Sequence, residues 1–191
     1  MSQRLDNLLG ALVVALSDTM SSAVAEAAGH PGALSAALAV LAQEPGLSIE
    51  QLRLPLGRTQ SATVRLVDQL AADGYAERRP GHDRRSVSVV LTEKGSEAAA
   101  RVLDRRRQVL HDATASLDAS ERKALTAALE KVLAAITTDR VHADQICRLC
   151  DLAVCPEPAC PVEQAATKPH PDGWPTARPV PSRFRTGEGR Q

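Results

Sequence analysis

Apolar residues recur every three or four positions over the first part of the chain. They are Leu5, Leu8, Leu9, Leu12, Val13, Leu16, Met20 and Val24. This spacing predicts an amphipathic helix over residues 4–28, because residues three and four positions apart share one face of an α-helix. The sequence Gly29-His30-Pro31-Gly32 ends that helix, and a second helix follows over about 33–43.

A short helix with a clear start signal comes next. Ser48 followed three residues later by Gln51 is typical of a capping box, which predicts a helix over 49–54. Pro55 and Gly57 are expected to end this helix, because proline cannot donate the next helical hydrogen bond and glycine favours a turn.

A longer helix is predicted over about 60–73, with Thr59 or Ser61 as its N-cap. Its inner face would carry Val64, Val67, Leu70 and Ala71. Its exposed face would carry polar side chains that can reach base edges or phosphates, namely Gln60, Ser61, Thr63 and Arg65.

The period then changes from that of a helix to that of a strand. Residues 75–79 and 85–91 are strand-like, and the turn over 80–83 joins them into a β-hairpin. Arg84 and Arg85 lie at the tip of the hairpin, where they are suited to a DNA minor groove, and Asp83 is close enough to pair with Arg85.

Long helices are predicted after the hairpin, over about 92–115 and 119–138, and residues 141–152 extend the helical pattern towards a group of cysteines. The second long helix has an apolar side formed by Leu125, Ala128, Leu129, Val132, Leu133 and Ile136. This side and the apolar face of the first helix suit a dimer interface. The fold class is therefore mainly α with a small β-hairpin (α+β).

The charge pattern indicates where the chain would bind DNA, and the proline content indicates where the folded part ends. The net charge is zero, but residues 53–85 carry seven Arg against four Asp or Glu, which gives a local basic patch. Eight of the twelve prolines lie from Pro156 onward, so we expect residues 165–191 to be disordered. No apolar run approaches the length of about 20 residues that spans a bilayer, and no signal peptide is recognisable, so we expect a cytoplasmic protein without membrane contact.

Two short helices followed by a basic hairpin are typical of a winged helix-turn-helix. The run from Gln60 to Leu70, the run from Asp73 to Arg79, the motif Asp83-Arg84-Arg85-Ser86, and the pairs Leu91-Thr92 and Lys94-Gly95 resemble the MarR family of bacterial regulators over roughly residues 1–140. Pro55 departs from the family pattern and is expected to shorten the first helix of the motif.

The resemblance implies a homodimer whose first and last helices form the interface and whose two winged lobes bind a pseudo-palindromic operator in double-stranded DNA. Gln60, Ser61, Thr63 and Arg65 would belong to the recognition helix. Arg85 would be the wing-tip arginine and Asp83 its partner. The expected segments are a dimerisation helix over 1–28, a DNA-binding domain over 29–91, dimerisation helices over 92–140, a cysteine segment over 141–164 and the tail over 165–191.

The four cysteines of the chain fall close together as C-x2-C-x4-C-x4-C, at Cys147, Cys150, Cys155 and Cys160. Such clustering predicts a thiolate site for Zn²⁺, with an iron–sulfur cluster as the alternative because proline follows two of the cysteines. A metal-free thiol switch and inert buried thiols are further interpretations. His142 is a spare ligand candidate.

The sequence thus predicts a dimeric, MarR-like transcriptional regulator, acting as a repressor, whose four-cysteine metal site is structural or senses metal or oxidants. The alternative is a repressor controlled by a small organic ligand, in which the metal only holds the tail in place. An enzyme is the distant alternative, because no nucleophile elbow, phosphate-binding loop or zinc-protease motif occurs in the chain.

Overall fold

The computed structural model describes residues 3–30, 32–80, 87–155 and 159–166. Its helices are α1 (Gln3–Ala28), α2 (Ala33–Gln43), α3 (Ile49–Leu56), α4 (Gln60–Ala72), α5 (Glu93–Ala113), α6 (Ala119–Ile136), α7 (Arg140–Cys147) and α8 (Pro161–Ala166). Its strands are β1 (Leu47–Ser48), β2 (Ala76–Pro80) and β3 (Val87–Leu91). The predicted mainly α fold with a small sheet is confirmed.

Side-chain caps open α3 and α4, as the sequence predicted. The capping box of Ser48 and Gln51 opens α3. Thr59, rather than Ser61, caps α4 by accepting a hydrogen bond from the Ala62 amide. Each cap satisfies an amide at a helix start that has no intrahelical partner.

Strand β3 lies at the centre of a three-stranded antiparallel sheet in the order β1-β3-β2. Ala76 pairs with Leu91 and Pro80 pairs with Val87, which confirms the predicted hairpin outside its turn. Strand β1 was not predicted. It pairs Leu47 with Val89 and so joins the start of α3 to the hairpin.

The main core is aliphatic and lies between α2, the inner faces of α4 and α5, and the sheet. Leu38, Leu41, Leu52, Val67, Leu70, Val89 and Val102 are its largest fully buried apolar side chains. Tyr75 lies at the edge of this core, where its hydroxyl donates to the Ala28 carbonyl at 3.3 Å and the Lys94 ammonium lies 4.6 Å from its ring centroid. Tyr75 thereby connects the end of α1 to the start of α5.

The N-terminal turn of α5 packs directly on the backbone before β2. A Cβ built on Gly95 would lie 1.9 Å from the Tyr75 carbonyl oxygen, so this position requires glycine. The close approach fixes the angle at which the long helix leaves the sheet.

The expectation that Pro55 ends the third helix was wrong. Pro55 lies inside α3, which continues to Leu56 and ends at Gly57 in the left-handed conformation, with φ of 61°. The proline sits in the last turn, where it removes a single helical hydrogen bond, and its ring is buried. That burial offsets the missing bond.

The C-terminal part of the chain contains more regular structure than the sequence indicated. Helix α7 is separate from α6 and stops at Cys147, short of the predicted end near Leu152. Residues 165 and 166, expected to be disordered, belong to α8 and are buried. Proline at the first helical position suits the start of α8, because its fixed φ matches a helix there.

The apolar faces of α1 and α6 are exposed in the single chain. Leu5 is 62% exposed, Leu12 49% and Leu129 48%. By length and composition α1 is also apolar enough to cross a membrane, with a mean hydropathy of 1.7 in its most apolar window, so the expectation that no run approaches that length was wrong. The part of the chain that the structure describes leaves these apolar faces exposed, which is costly in water.

Candidate nucleic-acid interface and thiol cluster

Helix α4 presents polar side chains on the surface beside the hairpin. Gln60, Ser61 and Arg65 are exposed, as predicted. Thr59 and Ser61 bring their hydroxyls to within 3.3 Å of each other at the start of the helix. The N-terminal part of α4 can therefore offer hydroxyl, amide and guanidinium donors to a base edge or a phosphate.

Thr63 was wrongly placed on the exposed face of this helix. It is fully buried, and its hydroxyl donates to the Thr59 carbonyl at 3.0 Å. This local bond satisfies the hydroxyl inside the protein, so a threonine can take a core position. Thr63 therefore supports the inner face of α4.

An ion pair connects α4 to the hairpin. Arg78 of β2 lies 2.7 Å from the Asp68 carboxylate of α4. Both side chains are partly exposed, so the pair contributes little to stability, but it is a direct contact between the outer face of α4 and β2. The pairing of Arg78 with Asp68 was not predicted from the sequence. The predicted Asp83, Arg84 and Arg85 lie outside the described residues.

The four cysteines gather in a second, smaller apolar cluster. Cys147 and Cys160 are buried, Cys150 and Cys155 are partly buried, and Ala143, Val162 and Ala166 pack among them. All four are thiols rather than disulfides. The cluster lies between the end of α7 and the start of α8.

The thiols interact with one another. Burial raises the pKa of the Cys155 thiol to about 11, and a hydrogen bond with Cys160 and the proximity of Cys150 act in the same direction. Cys155 is therefore a thiol, not a thiolate, at neutral pH. Binding of a metal ion at this position would release its proton.

The donor type suits a soft metal, since thiolates bind zinc and iron–sulfur clusters. Among the residues that the structure describes, no three His, Cys, Asp or Glu side chains stand in an arrangement that would hold a metal ion. The cluster as it stands is a set of neighbouring thiols, which would have to close around an ion. His142 is engaged elsewhere, because its Nδ1 lies 3.1 Å from the Thr138 hydroxyl.

A buried ion network ties together the two helices that flank the thiols. Arg140 of α7 donates to Asp144 at 2.8 Å and to Glu163 of α8 at 2.5 Å. The side chains of Arg140, Asp144 and Glu163 are 16%, 3% and 6% exposed. Burial lowers the pKa of Arg140, but the hydrogen bond with Glu163 and the two carboxylate charges outweigh it, so that the pKa is raised overall.

The thiol segment, residues 140–155 and 159–166, contacts the helix-turn-helix region at several points. Helix α7 packs on α3, where the Gln145 amide donates to the Leu54 carbonyl at 3.3 Å. The amide group of Gln43, the last residue of α2, bonds to the backbone of Cys150 and Leu152. On the other side α8 packs on α6. The segment thus bridges α6 and the helix-turn-helix.

A polar helix that packs beside a basic two-stranded wing is characteristic of winged-helix DNA-binding proteins. The profile of the MarR family matches residues 31–86. The transcriptional repressor MprA of Escherichia coli K12 is 31% identical over 124 residues, which are 63% of this chain and 69% of MprA. The chain belongs to the MarR family, and it is a DNA-binding transcriptional regulator, not an enzyme.

Solved structures agree with this assignment. The chain superposes on RV1404 from Mycobacterium tuberculosis with a TM-score of 0.59 and 26% identity, covering 69% of this chain and 92% of that one. A MarR family regulator from Silicibacter pomeroyi gives a TM-score of 0.54 and 30% identity, with the same coverage of 69% and 92%. The profile match ends before the cysteines, so the thiol segment is not part of that matched region.

Proposed function

We propose that the protein is a dimeric transcriptional repressor that binds a pseudo-palindromic operator. The observation that carries this proposal is α4, whose exposed Gln60, Ser61 and Arg65 would enter the major groove. Arg84 and Arg85 of the wing would enter the minor groove, with Asp83 holding Arg85. The E. coli relative MprA is itself a repressor, which favours repression over activation.

The exposed apolar faces of α1 and α6 support the dimer. In the dimer, the apolar face of each helix would pack against the apolar face of α1 or α6 of the second subunit. A contiguous apolar surface of this kind is costly when it is exposed to water. A dimer with a twofold axis presents its two α4 helices to two half-sites, which explains a palindromic operator.

The thiol segment would add a sensor to this repressor. Cys147, Cys150, Cys155 and Cys160 would bind one Zn²⁺ ion, with an iron–sulfur cluster as the alternative. The bound metal would hold the four thiolates together and so stiffen the segment between α6 and α3. Loss of the metal, or oxidation of the thiols, would release that constraint and change the position of the DNA-binding lobe.

A second candidate for control is a small organic effector. A cavity of about 430 Å³ lies between α1, α2, α3 and α7, a size suited to a small organic molecule. Its walls include Val24, Ala36, Leu56, Gln145, Arg148 and Leu149. An effector bound there would contact both the helix-turn-helix and the thiol segment, and the metal would then serve only a structural role.

The proposal is tested by selecting DNA that the purified protein retains from a random pool. A pseudo-palindromic sequence is expected, with retention lost in the Arg65→Ala variant. Selection of a single half-site would contradict the dimeric mode of binding. Metal analysis and a visible absorption spectrum of anaerobically purified protein then separate zinc from an iron–sulfur cluster, and absence of both would leave a thiol switch.

A further inference from the structure

Gln43 makes a two-point contact with the loop that carries the thiols. Its Nε2 donates to the Cys150 carbonyl at 2.8 Å, and its Oε1 accepts from the Leu152 amide at 2.7 Å. The two residues lie 107 and 109 positions further along the chain, so this is a long-range contact. Because both bonds go to the backbone, the contact of Gln43 depends on the position of the loop and not on the side chains of the loop.

The chain immediately after Gln43 enters the sheet of the wing. The Gly46 amide donates to the Val89 carbonyl at 3.1 Å, and Leu47 pairs with Val89 of β3. Ser48, next in the chain, caps α3. A displacement of Gln43 would therefore reach both the strand that carries the wing and the first helix of the helix-turn-helix within a few residues.

We propose that Gln43 is the positioning residue that couples the thiol centre to the DNA-binding surface. The inference rests on the proposed sensing function of the four cysteines. With the thiols gathered, the Cys150–Leu152 turn holds the end of α2 and, through it, β1 and the root of the wing. When the thiols separate, the turn leaves Gln43, and the wing is no longer held in its DNA-binding position.

Gln145, another polar link between this segment and the helix-turn-helix, is a poorer coupling residue. It lies on α7, which carries Cys147 at its end but is also tied to α8 by the ion pair of Arg140 with Glu163, so its position depends less on the thiols. Gln43 instead contacts the turn that follows Cys150, and the Cys150 sulfur lies 4.0 Å from the Arg106 guanidinium of α5. On this proposal, the turn at Gln43 is the part of the contact surface that follows the thiols most directly.

A double-mutant cycle on the full chain tests this coupling. Operator affinity is measured by fluorescence anisotropy at fixed salt, on DNA chosen by selection, for four proteins: wild type, Gln43→Leu, the variant with all four cysteines changed to serine, and their combination. Leucine has a similar size but makes neither hydrogen bond. Gln108→Leu, at an exposed glutamine of α5, is the matched control.

We expect the serine variant to bind DNA about tenfold more weakly than wild type, a coupling of ordinary size. Gln43→Leu should weaken binding to a similar extent, and the combination should be no weaker than either. The metal content of Gln43→Leu should equal that of wild type, and Gln108→Leu should resemble wild type in both measurements. Gln43→Met, which is similar in length but lacks the side-chain amide, replaces Gln43→Leu if that variant does not fold.

The outcomes separate this inference from the function on which it rests. If the serine variant binds DNA as tightly as wild type, the thiols do not control binding and both proposals are overturned. A different outcome is that the serine variant binds more weakly while the affinity losses of the serine variant and of Gln43→Leu multiply in the combined variant. In that case the thiols control DNA binding, but independently of Gln43, and the role of Gln43 is overturned. Loss of metal in Gln43→Leu would also overturn it, because Gln43 would then build the centre rather than transmit its state.

Discussion

Replacing Arg140 by alanine would leave the carboxylates of Asp144 and Glu163 buried without their guanidinium partner. Both carboxylate side chains are almost fully enclosed, at 3% and 6% exposure. Removing one member of a buried ion pair commonly costs several kcal/mol, because the remaining charge must be kept out of water. Arg140 is itself 16% exposed, so we expect a loss at the lower end, about 3 kcal/mol.

The loss of stability should affect the thiol segment before it affects the rest of the protein. Glu163 belongs to α8, and α8 packs mainly on α6 and α7. When the free energy that holds the thiol segment in place falls, the segment would open as a unit while the main core stays folded. Hydrogen exchange of backbone amides, compared between the segment and α2, measures that opening directly, and urea unfolding followed by circular dichroism gives the global free energy.

The matched control is Arg107→Ala. Arg107 pairs with Asp104 on α5, but both side chains are more than half exposed, so its removal should change stability by no more than about 0.5 kcal/mol. Replacing Arg140 by Met together with Asp144 and Glu163 by Leu should restore most of the loss, because no buried charge remains. Unchanged exchange in Arg140→Ala, or a triple variant as unstable as the single one, would refute the reasoning.

Further predictions concern the lobe, the dimer and the thiols. Gly95→Ala should destabilise the protein by more than about 2 kcal/mol in urea unfolding, since its methyl group would overlap the Tyr75 carbonyl, whereas Ser96→Ala, at an exposed position, should not. Arg65→Ala should weaken operator binding by about 1–3 kcal/mol at fixed salt without dissociating the dimer. Leu12→Asp should yield monomer or aggregate in sedimentation, and a wild-type monomer at micromolar concentration would contradict the premise. Because folding raises the pKa of Cys155 from 9.0 to about 11, metal-free protein should lose stability as pH rises through that interval, and Cys155→Ser should remove this dependence.

Much of the fold could be predicted because local signals agree with tertiary packing. The apolar period of residues 4–28 and the caps at Ser48 and Thr59 define helices that the structure confirms. Strand β1 could not be found by pattern, since two residues cannot show an alternation. Thr63 was misplaced because a polar residue type suggested exposure, while its bond to the Thr59 carbonyl makes burial inexpensive.

The candidate sites, like the fold, were predictable only in part from the sequence. That the cysteines lie together follows from their spacing, but their surroundings do not. Gln43 and Arg106 contact the thiol segment from distant parts of the chain, and no periodic pattern relates them to the cysteines. The surface of α4 was largely predictable because Gln60, Ser61 and Arg65 follow one helical face.

Tyr75 is a natural spectroscopic probe of the junction between α1 and α5. It is the only tyrosine in the chain, and the only tryptophan, Trp174, lies outside the described residues. The tyrosine ring lies between the Ala28 carbonyl that ends α1 and the Lys94 ammonium that begins α5. With Trp174 changed to phenylalanine, the tyrosine emission would come from this one junction, so its intensity and polarisation would report movement of the winged lobe against α1 without any attached dye.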